Sequence, residues 1–157
     1  MQGILVDTSV WVAAFFEEHE FFSQANAFIK SRTAAEPALF CRATEQSWLR
    51  LVTTPSLHGL YKAPTLTNRD AVDILSNWQS QHRVGCLHAE PEGIRALWLE
   101  LAAVPSASPR LWMDAYLAAF AISAGLPFAT LDADFRCFET SGLQLHWRPA
   151  PTPAARR

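Results

Sequence analysis

Four acidic residues occupy places where the surrounding sequence predicts buried structure. Asp7 and Asp132 each follow directly after a short apolar segment. Glu45 and Asp114 stand at the head of apolar helical stripes. A carboxylate that is turned into a protein interior loses its hydration and needs a partner or a metal ion. These four positions are therefore candidates for one shared chemical site.

The two helical acids share the apolar faces of their predicted helices. The residues three, four and seven positions later are Trp48, Leu49 and Val52 after Glu45, and Leu117, Ala118 and Ala121 after Asp114. This spacing places side chains on one face of a helix. Both carboxylates are therefore predicted to point inward.

A divalent metal ion is the economical way to hold several inward carboxylates together. Two like charges about 4 Å apart repel by ~4 kcal/mol at an effective dielectric constant of 20. Protonation relieves one pair, whereas a hard cation relieves all of them. Oxygen-only ligands favour Mg²⁺ or Mn²⁺ over Zn²⁺. Such an ion can activate water and orient a phosphodiester.

Two simpler interpretations stay open when only the spacing is considered. Each acid could form its own ion pair, and Arg42, Arg50 and Arg110 are close enough in sequence to serve as partners. Asp7 could also act only as a helix N-cap, which is a common use of aspartate before a helix.

The elements that must position these residues alternate between short strands and longer helices. Apolar segments predict strands at 4–6, 37–41, 84–87, 128–131 and 143–147, the last of them at a sheet edge. Helical periodicity predicts helices at 10–16, 21–30, 45–53, 67–79, 91–104 and 109–124. This alternation predicts an α/β fold with a parallel sheet that is covered on both faces. Ligands of such sheets bind outside the carboxyl ends of the strands, where Asp7 and Asp132 would meet.

The composition is that of one folded domain. Half of the 157 residues are hydrophobic, which favours a domain over 1–148, and the Pro- and Ala-rich segment 149–157 is predicted to be a disordered tail. The net charge of −2 lacks the basic excess of most nucleic-acid-binding proteins, so a nuclease would need local cations and its metal.

Neither a membrane segment nor a leader is predicted, so we expect a cytoplasmic protein. The apolar runs are shorter than the ~20 residues that a bilayer span requires, and no positively charged segment precedes the apolar N-terminus. The three cysteines, Cys41, Cys86 and Cys137, are widely spaced, which favours buried, reduced thiols over a zinc site or a disulfide.

The sequence resembles the PIN-domain family, and within it the VapC-type toxins of bacterial toxin–antitoxin pairs. Four segments carry the resemblance, in order along the chain up to about Trp147: Ile4-Leu5-Val6-Asp7-Thr8-Ser9, Thr44-Glu45 with Leu49-Arg50-Leu51, Trp112-Met113-Asp114-Ala115-Tyr116-Leu117-Ala118-Ala119, and Thr130-Leu131-Asp132-Ala133-Asp134-Phe135. The resemblance implies a three-layer α/β/α sandwich with a mainly parallel central sheet. It also implies an Mg²⁺- or Mn²⁺-dependent endoribonuclease, a small antitoxin partner and a homodimer.

The resemblance also implies roles for individual residues. Asp7 and Asp114 would be metal ligands, and Glu45 and Asp132 would complete the acidic cluster. Asp134 is an alternative to Asp132, although we expect it to cap a short turn that begins at Phe135. Further residues would support the site or contact substrate: the hydroxyls of Ser9 and Thr130, and the guanidinium of Arg50.

These roles suggest in-line attack on an RNA phosphodiester by metal-bound hydroxide. Glu45 or Asp132 would position or deprotonate the water, and the products would carry a 5′-phosphate and a 3′-hydroxyl. The substrate backbone could be guided by an arginine, for which Arg42, Arg50 and Arg110 are the candidates. Trp112 or Trp147 could be exposed enough to stack on an RNA base or to meet a partner.

Two other functions remain as alternatives. The Asp132-x-Asp134 pair after a strand is a weak sign of a phosphatase that uses an aspartyl nucleophile. Families of that kind place the pair after an early strand, however, and here the early strand ends in Asp7-Thr8-Ser9. A non-catalytic RNA- or protein-binding module with the same fold is the other alternative, although all four acidic positions are occupied.

Overall fold

The computed structural model describes residues 2–147 and 149. Its strands are β1 (Ile4–Val6), β2 (Ala38–Cys41), β3 (Val84–Leu87), β4 (Phe128–Ala129) and β5 (Leu145–Trp147). Its helices are α1 (Thr8–Phe15), α2 (Phe22–Lys30), α3 (Arg42–Val52), α4 (Pro55–Leu60), α5 (Asn68–Gln79), α6 (Ile94–Ala102) and α7 (Leu111–Ala124). A 3₁₀ helix spans Ala133–Ser141.

The strands form a parallel sheet in the order β3-β2-β1-β4-β5. This arrangement confirms the predicted parallel sheet and the edge position of the last strand among the described residues. Because all strands run the same way, their carboxyl ends meet at one edge, which we call the carboxyl edge. Residues far apart in the chain are thereby brought next to one another.

Apolar side chains fill both faces of the sheet, as the predicted three-layer sandwich requires. Ile4 and Val6 pack on one face with α1, α2, α3 and α5, whereas Leu5 packs on the other with α6 and α7. Adjacent residues of a strand point to opposite faces, so a strand buried on both sides is continuously apolar. On the first face, Trp11 stacks on Phe40 with ring centroids 3.8 Å apart.

Several boundaries differ from the prediction for local reasons. Helix α4 is not among the predicted helices; Pro55 occupies its first turn, where proline is tolerated. Helix α6 begins three residues after the predicted start at 91, since Gly93 takes a left-handed conformation with φ of 80°. The predicted tail at 149–157 lies outside the described residues apart from Pro149.

Two expectations about the surface can be compared with the structure. In the described part of the chain, no helix is both long and apolar enough to cross a membrane. The cysteines are free, but only Cys41 is buried, and Cys137 is exposed on the 3₁₀ helix. The prediction of buried thiols is therefore confirmed for Cys41 alone, because Cys86 is only partly buried and Cys137 is exposed.

Candidate metal centre

Asp7 and Thr130 occupy neighbouring positions at the carboxyl edge. Each is the first residue beyond its strand, β1 or β4, and these strands pair in parallel with Val6 opposite Ala129. The pairing extends one residue further, because the Asp7 N–H donates to the Ala129 carbonyl at 2.9 Å. The backbone therefore fixes where the Asp7 side chain starts.

Two hydroxyl groups hold the Asp7 carboxylate. Ser9 Oγ and Thr130 Oγ1 both donate to Asp7 Oδ2, at 2.6 and 2.7 Å, so neither occupies Oδ1. The hydroxyls are themselves held by backbone donors, since Leu131 N–H donates to Ser9 Oγ and Asp132 N–H donates to Thr130 Oγ1. Ser9 and Thr130 therefore connect the Asp7 carboxylate to the backbone of residues 131 and 132.

The charges of neighbouring aspartates act on Asp7 and on Asp114. Burial raises the pKa of Asp7, which is 8% exposed, while its bonds from Ser9 and Thr130 oppose that shift and the charge of Asp132 adds to it. Burial, followed by the charges of Asp7, Asp132 and Asp134, raises the pKa of Asp114 to about 6. The structure therefore brings Asp7, Asp114, Asp132 and Asp134 into one electrostatic group, which we call the acidic group.

Arg110 is a cation near the acidic group. It precedes Asp114 by four residues, and its charge acts against the rise in the pKa of that carboxyl. The other contributions outweigh it, because the pKa still reaches about 6. Arg110 therefore does not neutralise Asp114 as a dedicated ion-pair partner would.

Asp132 caps the 3₁₀ helix, which corrects the role expected for its neighbour. The Asp134 N–H donates to Asp132 Oδ1 at 2.8 Å, so Asp132 is the N-cap and Asp134 lies in the first turn. The sequence predicts instead that Asp134 caps a turn that begins at Phe135. The helix begins at Ala133 instead. Both aspartates are exposed and remain candidates for the fourth acidic position.

Glu45 contacts a different set of side chains. It is 7% exposed, its Oε2 accepts from the Arg42 guanidinium, and its Oε1 accepts from Gln79 Nε2 at 2.8 Å. The Cys86 thiol lies 3.9 Å from the same Oε1. Glu45 therefore forms an ion pair with Arg42, which is one of the simpler interpretations that the sequence left open. The contacts of Glu45 described here are with Arg42, Gln79 and Cys86 and not with the acidic group.

Arg50 and Trp112 lie away from the contacts just described. Arg50 is in the last turn of α3. With the rise per residue of an α-helix, it lies about 12 Å along the helix axis from Arg42. It lines a groove together with Val72 of α5. Trp112 is 51% exposed at the start of α7, where the Trp98 indole N–H donates to its carbonyl at 2.8 Å. The Trp112 side chain points away from Asp114, because residues two apart in a helix do not share a face.

Sequence reasoning missed Gln79, Cys86 and His88. Gln79 and Cys86 reach Glu45 from α5 and β3, and no local pattern predicts which residues two distant elements will contribute. His88 had a usable signal, since it follows β3 as Asp7 follows β1. Its ring Nδ1 lies 3.5 Å from Arg42 Nη2.

The donor set of the acidic group fits a hard divalent ion. Its members offer carboxylate oxygens, and their mutual repulsion is what a bound cation would relieve. Within residues 2–147 and 149, no group of three or more His, Cys, Asp or Glu side chains is arranged to hold an ion. Mg²⁺ commonly keeps several waters and is bound by only one or two carboxylates, so the pair Asp7 and Asp114 is sufficient in chemical type.

Comparison with protein families and curated proteins gives two findings. A family model described as PIN domain matches residues 4–139. Ribonuclease VapC41 of Mycobacterium tuberculosis is 39% identical over 132 residues, which cover 84% of this chain and 90% of the relative; the same figures hold for strains CDC 1551 / Oshkosh and ATCC 25618 / H37Rv.

Two solved structures share the fold at low sequence identity. VapBC-1 from nontypeable Haemophilus influenzae is 12% identical with a TM-score of 0.58, and the likeness covers 92% of this chain and 97% of that one. Mycobacterium tuberculosis VapC20, a sarcin–ricin loop cleaving toxin, is 19% identical with a TM-score of 0.61, covering 89% of this chain and 95% of that one. At these identities the likeness concerns the fold alone.

The raised pKa of Asp114 makes a prediction about stability without metal. The folded pKa of about 6 exceeds the usual 3.8, so the native state loses stability as the pH rises between these values. At pH 7.5 in a chelator, Asp114→Asn should therefore raise the melting temperature. Solvent screens this half-buried group, so we expect ~1 kcal/mol, which is about 2–4 °C.

The pH dependence and a matched variant control this prediction. Below about pH 3 the carboxyl of Asp114 is protonated in both states, so the difference between the proteins should vanish. Asp73→Asn, which removes an exposed charge from α5, should shift the melting temperature little. A lower melting temperature for Asp114→Asn at pH 7.5 would show that other groups already satisfy this carboxylate.

A second prediction concerns the fully buried hydroxyl of Thr130. Thr130→Val keeps the side-chain shape but removes the donor to Asp7 and the acceptor for Asp132 N–H. We expect the free energy of unfolding, measured with urea, to fall by about 1–3 kcal/mol. Thr140→Val changes an exposed residue and is the control. Equal losses in the two variants would contradict a special role for Thr130.

Proposed function

Because this chain belongs to the PIN-domain family, we propose that it is a metal-dependent endoribonuclease that hydrolyses RNA phosphodiester bonds and acts as the toxin of a toxin–antitoxin pair. The observation that carries the proposal is the buried Asp7 carboxylate, electrostatically coupled to Asp114 and Asp132 at the carboxyl edge. The relative named Ribonuclease VapC41 supports the choice of RNA as substrate.

In this proposal Asp7 and Asp114 hold Mg²⁺ or Mn²⁺, and Asp132 completes the acidic cluster, with Asp134 as its alternative. When bound, the ion would supply Lewis-acid polarisation of a phosphoryl oxygen and a lowered pKa for water. Ser9 and Thr130 donate hydrogen bonds to Asp7 Oδ2, and these bonds limit the rotation of the carboxylate. The direction in which Oδ1 points is thereby fixed as well.

Asp132 is the better candidate to orient and deprotonate the attacking water. It is exposed, it is coupled to Asp114, and the bond from Asp134 N–H fixes its orientation. Glu45, the other candidate, already accepts hydrogen bonds from Arg42 and Gln79 at its two oxygens. It would have to exchange those bonds before it could act on a water or an ion.

The partners in this proposal are those that the resemblance implies. They are a small antitoxin protein that blocks the site and a second copy of the chain in a homodimer. The fold likeness to VapBC-1 is consistent with such a partner. The cytoplasmic location stays a prediction from the sequence.

The phosphatase alternative is less consistent with the geometry. An Asp-x-Asp phosphatase would use Asp132 as the nucleophile and Asp134 as its partner, yet Asp134 lies within the 3₁₀ helix. Both residues follow the fourth strand rather than an early one. RNA cleavage and hydrolysis of a phosphate monoester by the same preparation distinguish the two functions.

The central test is cleavage of single-stranded RNA in Mn²⁺ or Mg²⁺. We expect products with a 5′-phosphate, and we expect Asp7→Asn and Asp114→Asn each to lower the rate by about 100-fold or more, because each removes a charge that the ion requires. Asp73→Asn should cleave at the wild-type rate. Undiminished cleavage by Asp7→Asn would refute the metal-nuclease proposal for this protein, as would hydrolysis of p-nitrophenyl phosphate without RNA cleavage.

Ion binding can also be measured without activity. Addition of Mn²⁺ should raise the melting temperature of the wild-type protein, since an ion that binds only the folded state stabilises it. Asp114→Ala should abolish the shift, whereas the exposed-site variant Asp73→Asn should retain it. A shift of the same size in Asp114→Ala would place the bound ion elsewhere.

A further inference from the structure

The carboxyl edge of the sheet divides into a basic half and an acidic half. The first residues beyond the strands, in the spatial order β3, β2 and β1, are His88, Arg42 and Asp7. Beyond β4 the chain continues through Thr130 to Asp132. Side chains that can donate hydrogen bonds therefore lie beside the strand that carries Asp7, on the side away from Asp132.

The distance between the two halves is about one strand spacing. Strands β1 and β2 pair with Leu5 opposite Leu39, so the same register places Asp7 opposite Cys41, the residue before Arg42. Neighbouring strands are separated by about 4.8 Å. The backbone of Arg42 is thus the next along the edge from that of Asp7.

The Arg42 guanidinium is held in place but remains accessible. Its Nη1 donates to Glu45 Oε2, its Nη2 lies 3.5 Å from His88 Nδ1, and 65% of its side chain is exposed. Glu45 is in turn fixed by Gln79. A guanidinium has five N–H donors. Because these two contacts use only two of them, the remaining donors can bind an anion.

A purely structural ion pair explains these contacts less well. An exposed pair between Arg42 and Glu45 would add only about 0–1 kcal/mol to stability. Yet Glu45 is almost fully buried and also accepts a hydrogen bond from Gln79, so its carboxylate is fixed and holds the exposed Arg42 guanidinium in one orientation. The arrangement instead pre-organises an arginine, the side chain whose planar donor array suits phosphate oxygens.

From this geometry we propose that Arg42, with His88 beside it, binds the phosphate next to the one that is cleaved in a single RNA strand, and that Glu45 positions Arg42. The proposal rests on the proposed ribonuclease function. It explains how a chain with a net charge of −2 can bind a polyanion: the Arg42 guanidinium supplies a local positive charge on one side of the acidic group. Of the three arginines that the sequence offered as candidates to contact the RNA backbone, the proposal assigns this role to Arg42.

RNA binding without cleavage provides the first test. In the Asp114→Asn background, a fluorescein-labelled single-stranded RNA is titrated by anisotropy at several salt concentrations. Arg42→Gln should raise Kd about tenfold, since it removes a charged hydrogen bond. It should also reduce the slope of log K against log salt by about 0.7, the value for one phosphate contact on a single strand. Arg42→Lys should retain the slope and recover part of the affinity.

Arg50→Gln is the matched control, because it removes the same charge from the far end of the same helix. It should leave both Kd and the salt slope close to those of the parent protein. Equal slopes for Arg42→Gln and Arg50→Gln would overturn the proposal. Melting temperatures of the two variants show whether Arg42→Gln is folded when its binding is measured.

A neutral backbone linkage locates the contact. One phosphate at a time is replaced by an uncharged methylphosphonate, and each substitution is combined with Arg42→Gln. At the phosphate adjacent to the scissile one, the protein and RNA changes should be non-additive, because both remove the same interaction. Additive effects at every phosphate would overturn the assignment.

The positioning role of Glu45 has a separate readout. Glu45→Gln should change Kd for RNA in a protein that contains Arg42 and should cause no further change in an Arg42→Gln protein. An equal effect in both backgrounds would show that Glu45 does not act through Arg42. If the wild-type protein cleaves RNA but Arg42→Gln binds normally, this inference fails alone; if the wild-type protein neither binds nor cleaves RNA, the proposed function fails with it.

Discussion

Repulsion among carboxylates at one edge of the sheet is the constraint on which the rest of this structure depends. Asp7 is buried, and burial of Asp114, followed by the charges of Asp7, Asp132 and Asp134, raises the pKa of Asp114 to about 6. A fold selected only for stability would separate such groups or pair each with a cation. Here two hydroxyls hold Asp7, and Arg110 compensates Asp114 only in part. The charges are kept together and left incompletely neutralised, which is the condition of a site that awaits a positive partner.

The parallel sheet brings side chains that are distant in the chain to one edge and gives that edge two chemically different sides. Asp7 and Thr130 are 123 residues apart in the chain, yet the pairing of β1 with β4 brings their side chains within hydrogen-bond distance. The same pairing rule, applied to β2, places Arg42 on the opposite side of Asp7. An edge that is acidic on one side and cationic on the other suits a chain of phosphates better than a single small anion. In the proposal, the phosphate that is cleaved lies at the acidic side, whereas the phosphate next to it lies at the cationic side.

The sequence was informative where one element determines the outcome and uninformative where two elements meet. The apolar segment before Asp7 and the helical stripe after Asp114 are local, so both residues and the parallel sheet could be predicted. The partners of Glu45 could not, because Gln79 and Cys86 arrive from α5 and β3. The cap of the 3₁₀ helix was misassigned by two residues, since Asp132 and Asp134 are equally good caps by type and only the backbone conformation chooses between them. Arg50 belongs to a motif segment, but eight residues of helix carry it away from the edge.

The aromatic core beneath the edge explains how repelling groups can be held at fixed positions. Trp11 lies one turn into α1, donates its indole N–H to the Val6 carbonyl at 3.1 Å and stacks on Phe40 of β2. Trp48 of α3 is fully buried and packs near Trp78 of α5, with ring centroids 5.3 Å apart. These rings anchor the helices that begin directly after Asp7 and Cys41, so the core fixes the starting points of both halves of the edge. Burial of large aromatic surfaces contributes several kcal/mol, and that stabilisation offsets the electrostatic cost of the acidic group.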